Sequence, residues 1–190
     1  MVTDPDAVRS RLLAGGARPG FSGLMLDRRY DRGTEFFARD EVIRLRVYRD
    51  RDGKELAKLG WKGPVSVTPE GHKARRELEY DIRGEHGSPE LLLGALGLEV
   101  VFRIDRYVEY YHLGETVARL EWYPRMDTLL EVEGDAPGIE SALQVIGIPR
   151  NDYTAESLPA FAERYALRTG RPAVLAVDPT SAERPSWEVR

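Results

Sequence analysis

Polar and apolar residues alternate in five short stretches of this chain: Ile43-Arg44-Leu45-Arg46-Val47, Leu59-Gly60-Trp61-Lys62, Arg75-Arg76-Glu77-Leu78-Glu79-Tyr80, Arg119-Leu120-Glu121-Trp122 and Leu130-Glu131-Val132-Glu133. Successive side chains of a strand point to opposite faces, so each stretch predicts a strand with one apolar edge and one edge of Arg, Lys or Glu. One such strand alone reads as half-buried, with a solvated face. Five of them, with arginines on some and paired carboxylates on others, predict a charged cavity that holds an anion and a metal together.

Helical signals surround these strands. Asp4 caps a first helix, Pro5 fits its first turn, Val8, Leu12 and Leu13 form one stripe, and Gly15-Gly16 stops it. A strand-rich stretch follows from about Leu24 to Ile82, broken at Arg32-Gly33, at Asp50-Arg51-Asp52-Gly53 and by the loop from Pro64 to Gly71. The Asp52-Gly53 pair signals a hairpin. Ser88-Pro89-Glu90 opens a second helix, with Leu92, Leu93 and Leu96 as its buried side and Gly97 as its stop. Three more strands run from Val100 to His112, Thr116 to Tyr123 and Thr128 to Gly134, with turns near Gly114 and Pro124. A third helix starts at Pro137 and ends before Gly147, and a fourth spans Leu158 to Tyr165. From Thr169 the chain turns polar and carries three prolines, which predicts a loosely attached tail over residues 169–190.

Strands and helices do not alternate strictly, so a parallel sheet is disfavoured and short connections favour antiparallel meanders. The expected class is α+β. An antiparallel β-barrel turns its polar faces into a lumen, and the helices cover its apolar wall from outside. Residues 1–168 form that domain.

Composition changes this picture little. The chain has 190 residues, enough for one domain with a sizeable core, and its net charge of -4 gives no global pull toward nucleic acid or membrane. It has no cysteine, which removes disulfides, thiolate catalysis and Cys-ligated zinc. The first residues lack a secretory pattern, and no apolar stretch is long enough to span a bilayer. A cytoplasmic protein is expected.

The candidate chemistry lies on the charged faces. Arg44, Arg46, Lys62, Arg75, Arg119 and one or both of Arg103 and Arg106 form the basic set. Guanidinium forks match phosphate oxygens in pairs, so several around one cavity would bind a polyanion such as a triphosphate. For any one of these residues alone a solvated strand face is the simpler reading. Glu77 and Glu79, Glu131 and Glu133, with Glu121 between, form the acidic set. Carboxylates two apart on a strand point the same way, within reach of one hard cation, Mg²⁺ or Mn²⁺. Cross-strand salt bridges are the competing reading, stronger for Glu77 and Glu79 than for Glu131 and Glu133, which have no basic neighbour in sequence. His72, His86 and His112 show no ligand spacing and read as surface residues. Tyr107, Tyr110 and Tyr111 read as wall or core. No Gly-rich phosphate loop or nucleophile elbow is present.

In order along the chain, several segments resemble the CYTH superfamily, the triphosphate tunnel metalloenzymes that include class IV adenylyl cyclases and thiamine triphosphatases. They are Asp27-Arg28-Arg29-Tyr30-Asp31, Ile43-Arg44-Leu45-Arg46, Trp61-Lys62-Gly63-Pro64, Arg76-Glu77-Leu78-Glu79, Leu120-Glu121, Glu131-Val132-Glu133-Gly134, and Asp152-Tyr153-Thr154 followed by Leu158. The likeness covers about Asp4 to Leu158. It implies an eight-stranded antiparallel tunnel, with Arg44, Arg46, Lys62, Arg75 or Arg76, and Arg106 along a phosphate path. Arg119 belongs to the same substrate-binding set, Lys62 and Arg106 take the catalytic roles, and Glu131, Glu133, Glu121, Glu77 and Glu79 supply carboxylates for metal. The implied activity is hydrolysis of inorganic triphosphate, thiamine triphosphate or a nucleotide, or cyclisation of ATP, with a non-catalytic phosphate-ligand binder as the rival. Two departures stand out. The superfamily opens with a Glu-x-Glu-x-Lys strand, and this chain starts at Met1-Val2-Thr3-Asp4, where that strand has just ended. A start set downstream of the true one is expected; a complete chain would have weaker metal binding and an open edge suited to a homodimer. Also, Arg103 and Arg106 are three apart rather than two, so only one faces the lumen unless the strand bulges, and Arg106 is the choice.

Overall fold

The computed structural model describes residues 1–69, 71–82, 87–178, 180 and 183–189. Helix α1 (Pro5–Ala14) is capped as its sequence predicts: the Asp4 carboxylate accepts the Ala7 N–H at 2.9 Å. It buries Val8 and Leu12 but leaves Leu13 exposed. Strand β1 (Arg18–Asp31) begins six residues before the expected Leu24. A short helix α2 (Glu35–Ala38) then leads to β2 (Val42–Asp50) and β3 (Glu55–Lys62), joined through the Asp52-Gly53 turn, where Gly53 takes φ 80°. The expected loop from Pro64 to Gly71 holds part of a small ribbon, β4 (Ser66–Val67) against β5 (Lys73–Ala74). Strand β6 (Glu77–Ile82), helix α3 (Gly87–Ala95), β7 (Glu99–Leu113), β8 (Thr116–Trp122), β9 (Leu129–Glu133), α4 (Ala136–Ile146) and α5 (Leu158–Thr169) complete the order. The class is α+β as expected. The pairs β1–β2, β2–β3, β3–β6, β7–β8 and β8–β9 are antiparallel, and seven strands share one order, β6-β3-β2-β1-β7-β8-β9, one fewer than the eight of the resemblance, whose first strand this sequence does not carry.

The chain packs as two compact units, residues 23–105 and residues 1–22 with 106–190. In the unit of residues 23–105, Tyr30, Leu45, Ala57, Leu93 and Leu98 form the core, flanked by Ile43, Val47 and Leu59. Helix α3 enters this core through Leu93. Leu92 and Leu96, expected to be buried, are exposed. The reason lies in the helix's composition: Leu91, Leu92, Leu93 and Leu96 leave no polar face to fix its rotation, so Leu93 with Leu98 just beyond the Gly97 stop decides which side packs.

In the other unit, Val8, Leu12, Leu120, Trp122, Ala142 and Ile146 join α1, α4 and the apolar side of β8. The segment after Thr169, expected to be loose, is tied to this unit. Arg125 and Val174 exchange backbone hydrogen bonds of 3.1 and 2.8 Å, and the Ser186 hydroxyl donates to the Tyr123 carbonyl at 2.6 Å. Trp187 packs on the core, which supplies the apolar anchor that the polar composition of the tail conceals. His86 lies outside the described residues.

Candidate functional site

Register turns the alternation of residues 23–105 into a single ionic face. Asp27 stands opposite Arg46, Arg46 opposite Lys58, and Lys58 opposite Asp81; one level along, Arg44 stands opposite Gly60, and Gly60 opposite Glu79. Lys62 pairs with Glu77 at the next level. The opposite face carries Leu45, Ala57, Leu59 and Ile82 into the core. Arg44 and Arg46 are only 9% and 6% exposed, so this charged face is covered rather than solvated. Arg46 reaches Glu79 at 3.1 Å and donates to the Tyr48 hydroxyl at 2.7 Å. Arg44 lies 3.7 Å from Glu77 and 4.0 Å from Asp27, which is itself buried. Lys62 bonds Glu77, and Lys58 sits 3.5 Å from both Glu79 and Asp81. Burial pushes the Glu79 carboxyl up, but Arg46 and Lys58 outweigh it and hold that group below its ordinary range. At Gly60 a Cβ would lie 3.7 Å from the Arg44 side chain and 3.6 Å from the Leu78 carbonyl, ordinary contact distances, so Arg44 packs directly over this position.

The second ionic face belongs to residues 106–133. Tyr110, Arg119 and Glu131 form one row across β7, β8 and β9, and His112, Val117 and Glu133 the next. Arg106, two positions before the buried Val108, shares this side and is buried, whereas Arg103 is exposed. Arg119 is the hub. Its Nε lies 2.6 Å from Glu121, its Nη2 bonds Glu131 and lies 3.7 Å from Glu133, and its Nη1 donates to the Tyr110 hydroxyl at 3.2 Å. Burial alone would lower the Arg119 pKa, but Glu131 and Glu121 raise it well above its usual value, so the cation is fixed. Arg106 approaches Glu121 at 3.4 Å, and the Tyr123 hydroxyl donates to the same carboxylate. Burial and Glu121 push the Tyr123 phenol well up, so it stays protonated.

The structure thus sorts the residues expected from sequence. Arg44, Arg46, Lys62, Glu77 and Glu79 meet on one face, and Arg106, Arg119, Glu121, Glu131 and Glu133 on the other. Arg75 and Arg76 fall in the break between β5 and β6. Arg75 turns to Asp40, at 3.0 Å from its carbonyl and 3.2 Å from its carboxylate, and Arg76 is exposed. Asp40 holds φ 54° there and also accepts the Val65 N–H at 2.6 Å, so Arg75 fastens a turn. Glu131 and Glu133, unpaired in sequence, are paired in space because the ladder sets Arg119 opposite Glu131. Tyr110, Tyr123, Lys58 and Asp27 join the two faces although sequence reasoning did not select them. The signal for Tyr110 was its even spacing from Arg106. His112, read as a surface residue, lies half-buried on the ionic side, its ring so close over Gly20 that a Cβ there would fall 2.6 Å from Nε2.

For a divalent ion the fit is conditional. Glu131 and Glu133 are half exposed and point to one side, the paired-carboxylate arrangement that Mg²⁺ uses when phosphate and water complete its shell. Among the described residues, however, no three acidic or histidine side chains converge into a cation cage, and Arg119 already holds this acid set. The described helices include none long and apolar enough to cross a membrane.

No protein-family model and no curated protein matches this chain. Solved structures do. A protein of Pyrococcus horikoshii OT3 superposes with a TM-score of 0.64 at 19% identity, over 87% of this chain and 94% of its own. A candidate adenylate cyclase of Vibrio parahaemolyticus gives a TM-score of 0.69 at 17% identity, over 85% and 93%. A candidate adenylyl cyclase of Hippeastrum, described as having a dominant triphosphatase activity, gives 0.58 at 17% identity, over 93% and 96%. The chain therefore has the fold of these cyclase- and triphosphatase-named proteins.

Proposed function

We propose that this chain is a CYTH-type enzyme of triphosphate chemistry that hydrolyses inorganic triphosphate, thiamine triphosphate or a nucleoside triphosphate. The observation that carries this reading is the burial of Arg44, Arg46, Arg106 and Arg119 on strand faces rather than at the surface. Taking a guanidinium out of water is costly, and a polar strand face that covers two of them, as each of the two faces does, is suited to an anion that engages them. In this reading Arg44, Arg46, Lys62 and Arg106 bind phosphate oxygens, and Lys62 and Arg106 stabilise the charge that develops as the phosphoanhydride breaks. A Mg²⁺ or Mn²⁺ ion held by Glu131 and Glu133 would supply Lewis-acid polarisation of a phosphoryl oxygen. The likeness to the Hippeastrum protein favours hydrolysis, and the name of the Vibrio protein supports the second reading, cyclisation of ATP by a class IV adenylyl cyclase.

The test is release of phosphate and of cyclic nucleotide from a panel of triphosphates with Mg²⁺ or Mn²⁺. Arg46→Ala and Glu133→Gln are each expected to lower turnover by more than about 100-fold, the scale of losing one charge-stabilising group. Full turnover in both variants would remove these residues from the site. Cyclic AMP as the main product would select the cyclase reading.

A further inference from the structure

The acid set that suits a divalent ion already has a cation in it. Around the Arg119 guanidinium stand Glu121, Glu131 and Glu133, and the Tyr110 ring covers it at 5.2 Å. A guanidinium is a delocalised cation with five N–H donors, so it can engage several carboxylates at once. A divalent ion at Glu131 and Glu133 would also meet the positive charge of Arg119 within a few ångströms, a repulsion strengthened by burial. Arg119 reaches Glu121, Glu131 and Glu133, whereas Arg106 reaches Glu121.

We propose that Arg119 is an internal counter-cation that competes with a divalent metal for Glu131 and Glu133, so that the ligand-free protein holds this site closed to metal. Metal enters when the guanidinium is drawn away, and an incoming phosphate is the chemistry best suited to draw it, because its oxygens match the arginine fork. Metal and phosphate would then bind with positive coupling. This rests on the triphosphate reading for its purpose, but the competition itself can be measured without any triphosphate.

The experiment is Mn²⁺ binding to the ligand-free 190-residue chain, read by the electron paramagnetic resonance of free Mn²⁺. Arg119→Gln should bind Mn²⁺ at least about tenfold more tightly than wild type, and Glu133→Gln in that background should cancel the gain. Arg119→Lys keeps the charge but reaches fewer oxygens, so its gain should be smaller, about threefold. The Gln variant should also melt lower than wild type in chelator and recover with Mn²⁺, because the ion replaces the lost counter-charge. Unchanged or weaker Mn²⁺ binding in both substitutions overturns the proposal. If the Gln variant does not fold even with Mn²⁺, the Lys variant decides alone. A failure of the triphosphate reading would show as absent turnover and absent tripolyphosphate binding, and the Mn²⁺ comparison stands apart from both.

Discussion

Asp31 shows how a single residue fixes a turn. Its Oδ1 accepts the N–H groups of Arg32 at 2.7 Å and Phe36 at 2.9 Å, and its Oδ2 accepts Phe37 at 3.0 Å. Burial pushes this carboxyl up, but the N–H donors of Phe36, Phe37 and Arg32 outweigh it and leave the group below its ordinary range. The turn ends β1 and starts α2, which sends Phe36 toward the core of residues 23–105. Asp31→Ala would strand three donors, and the expected cost is about 2–3 kcal/mol by urea unfolding. Asp31→Asn keeps an acceptor and should cost less. The residue was legible only as part of the Asp27–Asp31 motif. Its hydrogen bonds to residues up to six positions later depend on a helix too short for periodicity to reveal.

At the scale of elements, the strands were legible and helix rotation was not. Strands β2, β8 and β9 could be read because an Arg or Glu at every second position leaves one assignment of faces. The pairing between them could not: Arg119 faces Glu131 through a ladder between strands joined by a loop, and nothing local marks that register. Helix α3 lacks the polar stripe that would orient it, so its buried side had to come from packing. Leu93, 5% exposed, should cost about 2–4 kcal/mol when changed to Ala, whereas Leu92→Gln should stay within about 0.5 kcal/mol. Equal costs in thermal or urea unfolding would mean that the helix packs with a different rotation. The polar composition of the C-terminal segment hides its contacts. Its order comes from Trp187, from Ser186 on the Tyr123 carbonyl, and from Arg125 donating to the Pro172 carbonyl at 3.1 Å. Trp187→Ala should lower stability by about 1–3 kcal/mol, less than a fully buried aromatic would.

For the molecule as a whole, ionisable groups set two limits on stability against pH. On the acid side stand Asp31 and Glu79, both in the unit of residues 23–105 and both held below their ordinary values. A depressed carboxyl contributes stability above its unfolded pKa of about 4, and that contribution is lost as pH falls through the folded value. On the alkaline side stand Tyr111, Tyr123 and Tyr153 in the other unit, with Tyr30 in the unit of residues 23–105, all raised chiefly by burial. Burial and Glu109 push the Tyr111 phenol up to about 12, and burial and Glu121 push Tyr123 well up. The unfolded chain releases these protons near pH 10 while the folded chain retains them, so stability is full below about pH 10 and falls as pH rises above it. The expected profile of the urea midpoint is a plateau from about pH 5 to about pH 9.5 with a decline on each side. Hydrogen exchange should identify the unit responsible: at pH 3.5, relative to pH 6 and after correction for the intrinsic rate, amides of β2 and β3 should lose more protection than those of β8. Glu79→Gln removes one of the depressed carboxyls and should flatten the acid decline, and Tyr111→Phe should flatten the alkaline one. An acid decline unchanged in Glu79→Gln would mean that the Arg46–Glu79 contact, at 3.1 Å, contributes no net stability, and the covered charge of Arg46 would then be supported by its bond to Tyr48.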